Sequence, residues 1–110
     1  GYYDAHLRNL QRRYKKRWQV MNHAILTHLS MLEQTQNKGG TSFWLRGPEG
    51  FNARDLADRL RDKGVLIDIG ETYYLSHETR SFRLGFAFLT MQKLEEGIII
   101  IAEEVKQLLQ

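Results

Sequence analysis

Cysteine is absent from the 110 residues, which excludes disulfides, thiolate metal sites and cysteine nucleophiles and is compatible with a reducing compartment. No stretch approaches the roughly 18 consecutive apolar residues of a membrane span, and the opening residues lack the apolar core of a signal peptide. These absences predict a soluble, cytoplasmic chain. A single proline beside 42% apolar and 26% charged residues is not the make-up of a disordered polymer. The length suits one domain with one core, spanning residues 1–110, and leaves no room for a second. Metal-ligand spacing is missing as well: His23 and His28 are five apart on an expected helix, and His6 and His77 are remote in sequence. Gly39-Gly40 lacks the lysine and hydroxyl residue of a phosphate loop, and no serine, histidine and acid arrangement is signalled.

The net charge of +3 is a local matter, since Arg8, Arg12, Arg13, Lys15, Lys16 and Arg17 all lie in the opening segment and the remainder is slightly acidic. Such a cluster can face phosphate, form a solvated helix face or dock on an acidic neighbour. Neither glycine nor proline occurs from Asp4 to about Gln36, and apolar residues recur there at Leu7, Leu10, Tyr14, Trp18, Met21, Ile25, Leu29 and Leu32. That spacing predicts one long amphipathic helix, about 45 Å from end to end. It exceeds the width of a compact domain of this size, so part must overhang and leave Tyr2, Tyr3, Leu7, Leu10 and Tyr14 uncovered.

After a stop at Asn37-Lys38-Gly39-Gly40, Thr41 to Arg46 reads as a strand closed by the turn Gly47-Pro48-Glu49-Gly50. Asn52 is a good N-cap for a short helix with Ala53, Leu56, Ala57 and Leu60 inward, ending at Gly64. Val65 to Ile69 follows as a strand, then a loop or short hairpin with Tyr73 and Tyr74, and an exposed connection from Ser76 to Arg80. Ser81 to Phe88 alternates strictly, with Phe82, Leu84, Phe86 and Phe88 on one face and Ser81, Arg83, Gly85 and Ala87 on the other. Thr90 can cap a last helix whose inner stripe is Leu94, Ile98, Ile101, Ala102, Val105 and Leu108. The expected class is α+β: a small, mainly antiparallel sheet packed against helices, with a long N-terminal helix.

Arg83 is the candidate site residue. A guanidinium is a rigid fork that matches a carboxylate with two parallel hydrogen bonds, and the small neighbours Ser81, Gly85 and Ala87 leave room for a ligand. On pattern alone the plainer reading, an arginine on the solvated sheet face or paired with a carboxylate, is favoured over a ligand contact. Tyr73 and Tyr74 could stack on a ligand ring or pack at a rim. Trp18 and Trp44 read as core or interface anchors.

In order, His6-Leu7-Arg8 with Tyr14-Lys15-Lys16-Arg17, Gly39-Gly40-Thr41-Ser42-Phe43-Trp44-Leu45, Gly64-Val65-Leu66-Ile67, Phe82-Arg83-Leu84-Gly85-Phe86 and Leu94-Glu95-Glu96-Gly97-Ile98 resemble the C-terminal small domain of fold-type I aminotransferases that use pyridoxal 5'-phosphate. The wording is most similar to MocR-type regulators of the GntR family, in which a winged helix-turn-helix is fused to an aminotransferase-like ligand-binding domain. The resemblance implies that Arg83 holds the α-carboxylate of an amino acid or related ligand. It implies that the first helix sits at the junction with a large domain of the same chain. Family members often carry proline before the glycine that follows the second strand. Here the pair is Ile69-Gly70, so neither the loop geometry nor a ligand role for Tyr73 and Tyr74 carries over.

By the same resemblance, pyridoxal phosphate, its Schiff-base lysine and its pyridinium partner belong to the large domain. This fragment should hold no cofactor or metal and carry no catalytic residue. The full protein is expected to be a homodimer that meets DNA only through a separate N-terminal domain. Three functions follow: an effector-binding module of a regulator, the small domain of a catalytic aminotransferase, or a free-standing basic nucleic-acid-binding domain acting through the first helix.

Overall fold

A computed structural model of the chain describes residues 2–35, 42–70, 79–85 and 90–110. Helix α1, Tyr2–His28, leads into β1, Glu33–Thr35, and β2, Ser42–Arg46. Helix α2, Ala53–Arg61, is followed by β3, Asp68–Ile69, and β4, Ser81–Gly85. A 3-10 turn at Met91–Lys93 then opens onto α3, Leu94–Leu108. The sheet is antiparallel throughout, in the order β1-β2-β4-β3. The predicted α+β class and the antiparallel sheet are both found.

The core lies on one side of this sheet. Phe43 and Leu45 of β2 and Phe82 and Leu84 of β4 form one buried cluster with Met21, Ala24 and Ile25 of α1, Leu56 and Leu60 of α2, and Ile98, Ile101 and Val105 of α3. Alternation along β4 sends every second side chain into that cluster. The same parity places Trp44, Arg46, Arg83 and Asp68 on the opposite face.

Local chemistry explains the short elements. The Asn52 side chain accepts hydrogen bonds from the backbone N–H of Arg54 and Asp55, satisfying donors that the first turn of α2 leaves unpaired. The helix closes at Gly64, whose φ of 80° suits glycine, while Val65 N–H returns to the Leu60 carbonyl at 2.9 Å. Gly47 is required for a different reason, because a Cβ there would collide with the Phe51 ring. This close approach keeps the Gly47-Pro48 turn flush on the core.

The first helix departs from expectation in length. It ends at His28, and Leu29 and Leu32 enter the core from a turn rather than from another helical turn. The three-residue spacing of those leucines fits either geometry. The residues behind them pair with β2, and Gln34 donates to Asn22 Oδ1 at 3.3 Å, tying β1 back onto α1. The overhang is found: no described side chain from Ala5 to Val20 is buried, and the molecule measures 54 Å along its longest axis against 28 and 23 Å across. Of the residues expected to be uncovered, Leu7 is exposed, while the side chains of Tyr2, Tyr3, Leu10 and Tyr14 lie outside those described. Trp18 marks where the helix meets the sheet, its ring 5.6 Å from that of Phe43.

Two further differences are local. Only Asp68 and Ile69 of the expected Val65–Ile69 strand join the ladder. Thr90 precedes the 3-10 turn and makes no side-chain capping bond. Phe86, Phe88 and Gly39-Gly40 lie outside the described residues.

Candidate functional site

Arg83 sits in the middle of the face turned away from the helices. It is opposite Trp44 on β2 and opposite Asp68 on β3, so the three side chains form a row across adjacent strands. Its side chain is 28% exposed, which fits a guanidinium lying along the sheet with its head accessible. Arg83 Nε and Nη2 both donate to Asp68 Oδ2, at 3.1 and 2.7 Å. The plainer reading of the pattern, an arginine paired with a carboxylate, is met in the structure by Asp68. The spacing of β4 could not reveal it, because the register between β3 and β4 joins residues 15 apart in the chain.

A groove of about 340 Å³ opens beside this ion pair, between α2 and β3, lined by Arg54, Asp58 and Arg61 above and by Ile67, Asp68 and Ile69 below. Asp68 thus belongs both to the groove and to the arginine face. Arg46 shares the face with Arg83, its Nε buried without a hydrogen bond, and stands opposite Glu33 in the β1–β2 register. Each described guanidinium on the face therefore stands opposite a carboxylate of a neighbouring strand. Tyr73 and Tyr74, the expected rim residues, lie outside the described residues.

A second polar cluster, unforeseen from the sequence, lies between α2 and α3. Glu104 of α3 is buried at 3% exposure, with Lys63 Nζ 2.5 Å from Oε1 and Arg59 Nη1 3.3 Å from Oε2. The hydrogen bond from Lys63, joined by that from Arg59, holds the Glu104 carboxyl below its ordinary value against the opposing cost of burial. Lys63 is pushed up in return, chiefly by its hydrogen bond to Glu104. The cluster clamps the end of α2 to α3. Its signal in the sequence was that Glu104 follows Ile101 by three residues, on the buried stripe rather than across from it.

The described residues do not form a cradle for pyridoxal phosphate. Positions on the Arg83 face (33, 35, 42, 44, 46, 68, 81, 83 and 85) carry no lysine, and Lys63 is engaged with Glu104. The Arg83 guanidinium can pair with a carboxylate, and in this structure it does so with that of Asp68. On the overhang, Arg8, Arg12, Arg13, Lys15 and Lys16 are exposed. No described helix is long and apolar enough to cross a membrane.

No family model matches the chain. It is 34% identical over 108 residues to the HTH-type transcriptional regulator TauR of Rhodobacter capsulatus, covering 96% of this chain and 22% of that one. It is 28% identical over 109 residues to aromatic-amino-acid aminotransferase 1 of Thermococcus litoralis, covering 97% of this chain and 26% of the relative. Among solved structures, α-aminoadipate aminotransferase LysN of Thermus thermophilus, complexed with N-(5'-phosphopyridoxyl)-L-leucine, superposes with a TM-score of 0.85 at 26% identity over 97% of this chain and 28% of that one. The chain thus spans 22% and 26% of the length of these two curated relatives.

Proposed function

From the premise that the chain has the small-domain fold of fold-type I aminotransferase-like proteins, with relatives among both transcriptional regulators and aminotransferases, we propose that residues 1–110 are the C-terminal part of the effector-binding domain of a MocR/GntR-type regulator. In this reading Arg83 holds the carboxylate of an amino-acid-like ligand. Pyridoxal phosphate, which supplies an electrophilic aldehyde for an amine when bound, is held by a large domain of the same polypeptide. The intact protein is a cytoplasmic homodimer that meets DNA through a separate N-terminal domain. Movement of the small domain on its long first helix reports occupancy to that domain.

The observation that supports the reading is that Arg83 lies on the sheet face opposite the core, with its side chain 28% exposed. Its test is Arg83→Ala in the full-length protein. Calorimetric titration with amino acids should show a carboxylate ligand weakened by about 2 to 5 kcal/mol if the ion pair is desolvated in the closed protein. Unchanged affinity removes Arg83 from the site.

A second reading, the small domain of a catalytic aminotransferase, is favoured by the match to the Thermococcus litoralis aminotransferase over nearly all of this chain. A winged helix-turn-helix encoded upstream, with no turnover of amino acids by the full-length protein, decides for the regulator. Transamination without such a domain decides for the enzyme.

A further inference from the structure

We propose that Asp68 is the discriminating residue of the Arg83 face. It holds the guanidinium until a ligand carboxylate arrives, and so selects α-amino acids with neutral or basic side chains over dicarboxylic ones. The inference rests on the assignment of Arg83 as the carboxylate anchor.

Asp68 presents to Arg83 the same chemical group that a ligand would bring. A single oxygen, Oδ2, takes both the Nε and the Nη2 hydrogen bonds, so one edge of the fork is already engaged. Asp68 stands on the end strand, 54% exposed, in a ladder segment only two residues long. Its side chain can therefore turn away without disturbing the core. The groove it also lines carries Arg54 and Arg61 beside one other carboxylate, Asp58, so the balance of charge on that side is positive before Asp68 is counted.

A ligand carboxylate reaching Arg83 brings a negative charge beside the one already there. Asp68 either swings toward the groove or stays and repels, and both responses weaken binding. The penalty grows when the ligand carries a second carboxylate, and shrinks when its side chain ends in an ammonium group that Asp68 can accept from. Across the rest of the face Arg46 is opposed by Glu33, so the described residues of the face carry no net positive charge to offset a second carboxylate.

The experiment uses the full-length protein with its cofactor and measures calorimetric affinities for L-lysine, L-alanine and L-glutamate in wild type, Asp68→Asn, Arg83→Ala and the double variant, each first shown by thermal melting to be folded. Wild type should bind L-lysine and L-alanine ahead of L-glutamate. Asp68→Asn should raise L-glutamate affinity roughly two- to fivefold, the worth of one partly exposed charge pair. It should raise L-alanine less and leave L-lysine unchanged or weaker, while Arg83→Ala loses all three. A wild-type preference for L-glutamate, or an Asp68→Asn change equal for the three ligands while Arg83→Ala still abolishes binding, discards the inference and keeps the anchor. Arg83→Ala without effect removes the anchor itself. A glutamate-selective gain that persists in the double variant also sinks the inference, because Asp68 would then act without Arg83. Absence of saturable binding in every protein overturns both.

Discussion

Phe82 and Arg83 are neighbours in the chain, yet they stand on opposite surfaces of the sheet. Phe82 is fully buried among three helices, whereas Arg83 meets a partly exposed carboxylate on a face that the described helices leave uncovered. The inner face is held by area removed from water, which is insensitive to pH and salt over ordinary ranges. The outer face is held by charge in contact with solvent, where each pair contributes little and can be exchanged for another. One strand thus combines a side fixed by burial with a side held by exchangeable charge.

The contrast can be broken most severely from inside. Phe82→Ala should lower stability by about 3 to 5 kcal/mol, read by equilibrium urea unfolding, because the neighbouring leucines cannot close the cavity. A loss below about 1 kcal/mol would mean that the inner face is not the main source of stability.

Glu104 provides a sharper, intermediate case, since it is a charge within the packed layer. Its carboxyl is held below the ordinary value in the folded protein, chiefly by Lys63. The stability it contributes is therefore present in full above the normal carboxylate range and lost as pH falls through the lowered value. Lys63, being raised, contributes fully below the ordinary lysine range and loses its share as pH rises through the raised value. Wild type should lose more thermal stability than Glu104→Gln on acidification from about pH 6 to about pH 3. Parallel losses in the two proteins would show that other carboxylates dominate.

The smallest effect belongs outside. Arg83→Ala or Asp68→Ala should change stability by no more than about 1 kcal/mol, in the same unfolding assay, and addition of salt should shrink even that. A larger change would make the pair part of the structural frame rather than an exchangeable contact.

Much of this division was legible in the residues. Strict alternation from Ser81 onward was enough to assign Phe82 inward and Arg83 outward, because strand parity is set by local geometry alone. The second helix was legible for the same reason, its cap at Asn52 and its stop at Gly64 being features of adjacent residues. Strand β1 was not, since Glu33-Gln34-Thr35 carries no apolar pattern and becomes a strand only by pairing with β2. The Asp68 partner of Arg83 was equally hidden, because it depends on the register between two strands rather than on either sequence. Resemblance to a known fold supplied the expectation that the arginine face meets a ligand, but it carried no information about the carboxylate already there.

One rim of the sheet has a consequence for how the domain avoids self-association. Strand β3 contributes two residues to the described ladder, while β2 and β4 contribute five each. So short a border offers too few unpaired amide groups to template a foreign strand. A rim trimmed in this way is a poor seed for intermolecular zippering.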